Sequence, residues 1–248
     1  MTYIAHKAIL LNGEEHYSLQ YEPTYQDIKL AMKQAYLKSQ YTKNGNQNAQ
    51  PRTPYEKFSK QFEGILGEIS ILKTLEEWFL QNKTNLSVNR YDDVRTDGYK
   101  SPSGEYDLKV IAPSGLEIYI EARASISYKT SLEKAITGDI GLTPLDTIGP
   151  YTNFQKMKES GSGLYFRPLF QLKNPNPNLK IKDIDFFKSF INNEFQLFIT
   201  GGATLEMMDS LGKLKNMGQK NTLYKAIPIS QGMDIKRLLQ HLLVFSTQ

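Results

Sequence analysis

The chain has no cysteine among its 248 residues, which removes disulfides and thiolate-held zinc from consideration. Its three histidines, His6, His16 and His241, are scattered, so neither a histidine-built metal site nor a Ser-His-Asp triad has support. Any metal must therefore be held by oxygen. No apolar run approaches the roughly 18 residues that cross a bilayer. The opening MTYIAHKAILLNGEEHY carries charges and His where a secretory signal is apolar, so a cytoplasmic protein with no membrane partner is expected. Thirty basic residues against 26 acidic ones leave a net charge of +4, which permits a polyanionic partner without demanding one. A hydrophobic content of 40% over this length is enough for one elaborated domain.

What is present centres on Glu105–Ser125, EYDLKVIAPSGLEIYIEARAS. Pro113, Ser114 and Gly115 are turn residues, and the runs on either side alternate polar and apolar, which predicts a β-hairpin. A turn centred on Ser114 puts Leu108, Val110, Ala112, Leu116, Ile118, Ile120, Ala122 and Ala124 on a core face. The other face carries Glu105, Asp107, Lys109, Glu117, Tyr119, Glu121 and Arg123. In that register Asp107 stands opposite Glu121, with Cβ atoms about 4.5–5.5 Å apart, and like charges so placed repel. A divalent cation such as Mg²⁺ relieves the repulsion; so does solvation with help from Arg123 or Lys109. The alternation alone does not choose between them.

Upstream, Pro54 to about Leu80 carries Phe58, Phe62, Ile65, Leu66, Ile69, Leu72, Leu75 and Phe79 at helical spacing, the longest apolar stripe in the chain. Glu68 falls on the flank of the stripe and needs a partner; Glu76 falls inside it. Leu86–Val94 reads as a strand. Asp92, Asp93 and Asp97 are read as turn formers or as further ligands.

These residues resemble the PD-(D/E)xK core of restriction-endonuclease-like nucleases. The match lies in Asp107, then Glu121-Ala122-Arg123 after an apolar strand, and in Gly64-Ile-Leu-Gly67-Glu68 on a preceding helix. It covers roughly Pro54 to Leu172. The resemblance implies an α/β fold with an α-β-β-β-α-β core and a mixed central sheet flanked by helices. It implies that Asp107, Glu121 and the carbonyl of Ala122 hold Mg²⁺, for which Mn²⁺ can substitute, with Glu68 as an accessory acid. Arg123 stands where the family has Lys. A guanidinium is a poor proton acceptor but can clamp a phosphate, so Arg123 is read as that clamp or as the salt-bridge partner of Asp107 or Glu117. Lys109 and Lys129 are candidates to replace the missing Lys. DNA is the implied substrate and a homodimer the implied assembly, as in a type II restriction endonuclease. An RNA or structured-DNA substrate fits the same residues. An inactive nucleic-acid-binding or assembly module on this fold is the alternative.

Three segments follow. Residues 1–52 read as an N-terminal arm: a short strand ending at Asn12-Gly13, a helix over Tyr25–Ser39 capped by Thr24, and a mobile loop flanked by Lys43 and Arg52. Residues 53–172 are the nuclease-like core. Within it Tyr151 and Phe154 are expected as loop anchors, and Pro168 forces an edge, bulge or break in a buried strand. Residues 173–248 read as C-terminal β-α units packed on the same domain. These are a helix over Ile184–Asn192, a strand over Phe195–Thr200, a helix over Ala203–Met217, a strand over Thr222–Ile229 and a helix over Asp234–Phe245. Thr200-Gly201-Gly202-Ala203-Thr204 reads as a strand-to-helix turn, since it lacks the Lys of a phosphate-binding loop.

Overall fold

The computed structural model describes residues 4–42, 51–100, 106–138, 145–180, 184–216 and 222–247. The expected mobile loop around Lys43, and Glu105 on the hairpin face, lie outside the described residues. In chain order the elements are β1 (Ile4–Ile9), β2 (Glu15–Tyr21), α1 (Tyr25–Tyr41), α2 (Pro54–Gln81), β3 (Ser87–Arg90), α3 (Tyr91–Val94), β4 (Leu108–Ile111) and β5 (Glu117–Ala122). Then come β6 (Ser125–Ser127), α4 (Leu132–Thr137), β7 (Asp146–Pro150), α5 (Tyr151–Ser160), β8 (Gly163–Leu172) and α6 (Phe186–Ile191). The chain closes with β9 (Phe195–Thr204), α7 (Leu205–Ser210), β10 (Lys213–Asn216), β11 (Leu223–Pro228) and α8 (Ile235–Leu243).

A mixed sheet runs in the order β1-β2-β9-β8-β5-β4-β3, with β6 pairing β8 off that path. Strands β5 and β6 are parallel to β8, and the other neighbours are antiparallel. Helix α2 is followed by the antiparallel strands β3, β4 and β5, with α3 between the first two, and β6, α4 and β7 intervene before α5 and the parallel strand β8.

The hairpin register is the one its turn dictates. Leu108 faces Ile120 and Val110 faces Ile118, and Gly115 takes φ +85°, a conformation glycine adopts without strain. Leu108, Val110, Ile118, Ile120, Leu164 and Phe166 pack with Ile71, Leu72, Leu75 and Phe79 of α2, and with Leu238 and Leu242 of α8. Each such side chain contributes about 1.5–3 kcal/mol over leaving it exposed. Tyr165 points the other way, into Phe154 and Met157 of α5 and Met208 of α7. The sheet is thus covered by helices on both faces.

Both long helices start as their sequences predict. Thr24 and Thr53 each accept a main-chain N–H three residues on, and Asp27 and Glu56 reach back to the cap N–H. These are capping boxes, each worth about 1 kcal/mol.

Several expectations are corrected. Residues 4–21 are not a separate arm, because β2 joins the main sheet through β9. The first core strand ends at Arg90, and Tyr91–Val94 form a helical turn. Glu76 is exposed and paired with Lys73, so it does not belong to the buried stripe. Leu116, expected on the core face of the hairpin, is 37% exposed. Of the edge, bulge or break expected at Pro168, the structure has the bulge, between β8 and β9 in the middle of the sheet. Strand β9 runs straight through Gly201 and Gly202 to Thr204, where a turn was expected. The following helix is a six-residue segment, and β10 and β11 join β7 in a separate three-stranded sheet. The C-terminal β-α series therefore does not extend the main sheet beyond β9.

Candidate active site

The site is built where β4 begins and β5 ends. Asp107 immediately precedes β4, accepts the Tyr91 N–H at its carbonyl and donates its own N–H to the carbonyl of Ile120 at 3.0 Å; Ile120 is already the partner of Leu108, so the ladder is irregular there and Asp107 lies beside the end of β5. Its Oδ2 accepts the Ala122 N–H at 2.8 Å. The N–H and carbonyl of one strand residue point to the same side. The Ala122 carbonyl therefore also faces the Asp107 side, past the end of β4.

Glu121 is fully buried. Its Oε1 accepts from Nε of Arg123 at 2.5 Å, and its Oε2 accepts from Nδ2 of Asn153 on α5 at 2.9 Å. Burial raises its pKa to about 7; Arg123 opposes the rise and Asp107 adds to it. Arg123 and Glu121, two residues apart, lie on one face of the strand. The salt-bridge partner of Arg123 is thus Glu121, in place of the expected Asp107 or Glu117. Glu117 instead pairs with Lys109 at 2.7 Å. The Lys109 ammonium also lies 5.5 Å from the Tyr106 ring centre. Lys129, the other candidate, is exposed.

Glu68 comes from α2 and is buried, with Arg90 Nη1 at 3.3 Å from its Oε2. Burial raises its pKa to about 7, Lys38 and Arg90 act against the rise, and Asp107 and Asp92 act with it. Glu68, Asp107 and Glu121 thus form one electrostatically linked group. The three acids read as turn formers are ion-pair partners. Asp93 holds Arg90 at 2.6 Å, Asp97 holds Arg95 at 2.7 Å, and Asp92 holds Lys38 at 2.9 Å and Arg95 at 3.2 Å.

Three residues of this neighbourhood escaped the sequence reading: Lys38, Arg90 and Asn153. Only Arg90 left a signal there, as a charged residue in step with Leu86 on a strand face.

The bulge at Pro168 also touches the site. A parallel ladder would supply the residue-168 N–H to the carbonyl of Arg123, and proline has none. The buried guanidinium of Arg167 takes that carbonyl instead, at 2.5 Å. At Gly149 a Cβ would come 2.5 Å from the Tyr165 ring and 3.5 Å from Cγ of Glu121.

Among the described residues, no group of three or more His, Cys, Asp or Glu is arranged to hold a metal ion. Asp107 and Glu121 are close enough to interact electrostatically, and Asp107 holds the main chain of Ala122, so two carboxylates and the Ala122 carbonyl are the oxygen donors nearest to hand. Such an all-oxygen set fits Mg²⁺, which keeps several waters and uses one or two protein carboxylates. A cleft of about 1160 Å³ between α1, α6 and strands β2 and β9 contains none of these acids. No helix among the described residues is long and apolar enough to cross a membrane.

In comparisons with known proteins, no family model matches the chain, and no solved structure matches it. It is similar to "Uncharacterized protein MJECS01" of Methanocaldococcus jannaschii, with 26% identity over 217 residues, covering 79% of this chain and 74% of the relative.

Proposed function

We propose that this chain is a Mg²⁺-dependent endodeoxyribonuclease on a restriction-endonuclease-like core, of the type II restriction class. The reading is supported by the order of helix, three antiparallel strands, helix and parallel strand. The observation that carries it is the Asp107 carboxylate lying beside the end of β5, where it accepts the N–H of Ala122, the residue next to Glu121, and acts on the charge of Glu121.

Mg²⁺, or Mn²⁺ in its place, held by Asp107, Glu121 and the Ala122 carbonyl would acidify a bound water and offset charge on the phosphoryl oxygens. The chain's own groups have separable tasks. Asn153 fixes one oxygen of Glu121, so the carboxylate stays oriented when Arg123 leaves the other. Arg123, with its rigid fork of donors, is suited to clamp a phosphate oxygen. Glu68 adds negative charge beside Asp107 and is the accessory acid. Hydrolysis joins the water oxygen to phosphorus, breaks one P–O ester bond and delivers a proton to the departing alkoxide. Cutting both strands of a two-fold DNA site calls for a homodimer.

The test is incubation of mixed-sequence DNA with Mg²⁺ or Mn²⁺, comparing the native chain with Asp107→Ala and Glu121→Ala. Discrete fragments that disappear in both variants are the expected result. DNA binding without cleavage would favour a second reading, an inactive binding module. The Arg123–Glu121 pair itself favours that reading, since it neutralises the acid without a metal.

A further inference from the structure

Lys38 stands in the last turn of α1, far in sequence from the acids of the site. Its Nζ donates to Oδ2 of Asp92 at 2.9 Å, and its side chain is 21% exposed where that of Asp92 is 2% exposed. Asp92 directly follows Tyr91, whose N–H donates to the carbonyl of Asp107 at 2.9 Å. One ion pair and one main-chain hydrogen bond thus tie the ammonium to the start of β4. Its charge acts on Glu68, Asp92 and Asp107 together.

The other cations near the acids are committed. Arg123 lies on Glu121, and Lys109 lies on Glu117. Arg90 is wholly enclosed, with no exposed side-chain surface. Nor do the buried acids depend on Lys38 for a partner, because Glu68 has Arg90 and Asp92 has Arg95. Lys38 remains as a partly exposed point charge on a flexible stem, able to swing from Asp92 to a phosphate oxygen while Arg95 keeps Asp92 paired.

We propose that Lys38 is a catalytic residue of this site, its ammonium meeting a non-bridging oxygen of the scissile phosphate beside Asp107. This rests on the nuclease reading above and assigns to α1 the cation that the motif position lacks.

The experiment uses the full chain with Lys38→Met and Lys38→Arg, checked for folding by thermal melts. DNA binding is measured in EDTA over a salt series, and single-turnover cleavage is measured with Mg²⁺. For Lys38→Met the slope of log affinity against log salt becomes shallower by about one phosphate contact. Cleavage falls about 100-fold or more, the scale of losing one charge-stabilising donor. Lys38→Arg recovers the slope and part of the rate. If Lys38→Met does not fold, the double variant Lys38→Met/Asp92→Asn takes its place with the same expectations. An unchanged slope, or cleavage within about threefold of native, overturns the proposal. If Asp107→Ala is inactive while Lys38→Met cuts normally, the role of Lys38 alone falls. If the native chain cuts nothing, the nuclease reading falls and takes this one with it.

Discussion

Arg123 Nη2 lies 2.5 Å from Oε1 of Glu121, so the acid proposed to face a metal is already neutralised by its neighbour on the same strand. Metal and guanidinium then compete for one carboxylate oxygen. Arg123→Ala is expected to bind Mn²⁺ several-fold more tightly, read by calorimetry. It should also destabilise the metal-free fold by about 1–3 kcal/mol, less than a fully buried pair would lose, because the Arg123 side chain is 38% exposed. Weaker metal binding in the variant would mean that Arg123 assists the site in place of competing with it.

Stability of the metal-free chain should fall as pH rises from about 4.5 to about 7. Glu68 and Glu121 each have a folded pKa raised to about 7 from 4.5. In that window the folded state holds more protons than the unfolded one, so stability drops by up to about 1.4 kcal/mol per pH unit for each. Buried Glu63 acts in the same direction, while His16, whose pKa burial lowers, acts oppositely below 6.5. Urea midpoints of the native chain are therefore compared with those of Glu68→Gln, which should show a shallower decline. Parallel profiles would remove Glu68 from the account.

The same protons predict how metal binding responds to pH. Asp107 and Glu121 bind a cation only as carboxylates. Mg²⁺ or Mn²⁺ should raise the melting temperature more at pH 8 than at pH 5.5, with proton release on binding near neutrality. Calorimetry in two buffers of different ionisation enthalpy measures that release. Asp107→Asn and Glu121→Gln should each abolish the shift, and a shift that survives both would place the cation elsewhere.

Asn153 is predicted to act through Glu121 alone. Asn153→Ala leaves a buried carboxylate oxygen without its donor, a loss of about 1–3 kcal/mol. It should lower the cleavage rate while DNA affinity in EDTA stays near native. Asn153→Asp sets a second acid against Glu121 and should unfold more readily at pH 8 than at pH 5. Equal stability of the two variants at both values would contradict the pairing.

Gly149→Ala tests how tightly the wall of the site is packed. The new Cβ would lie 2.5 Å from Cε1 and 3.0 Å from Cδ1 of Tyr165, a ring enclosed by Phe154, Met157 and Met208. Such overpacking costs about 1–3 kcal/mol, measurable by urea unfolding. Adding Tyr165→Leu should recover part of it, and additive losses would show that the ring is not the obstacle.

The legible parts of the molecule were those governed by local period. The turn at Pro113-Ser114-Gly115 and the alternation around it fix the register that pairs Leu108 with Ile120 and so brings Asp107 to the end of β5. The stripe from Phe62 to Phe79 likewise fixes the buried face of α2. What escaped was non-local. Gly201 and Gly202 look like a turn, yet they lie in a strand. A Cβ at Gly202 would come 1.6 Å from the carbonyl oxygen of Tyr165, so glycine is there for close approach of two backbones. Asn153 and Lys38 carry no sequence mark of the site because each arrives on a helix whose position depends on the finished sheet. The pairing of Arg123 was misplaced because Glu121, two residues away, lies within reach of its guanidinium, while Glu117 is taken by Lys109.

The pairing of β2 with β9 sets an order on biosynthesis. Leu19 lies beside Ile199, so β2 leaves the ribosome well before β9 and cannot be covered on that edge until β9 has followed. The β1–β2 hairpin must wait with one edge bare, a state open to pairing with other nascent chains. Pairings this far apart in sequence also slow folding, because loop closure precedes any reward from contact. Early termination before β9 should therefore yield fragments that chaperones hold or proteases remove.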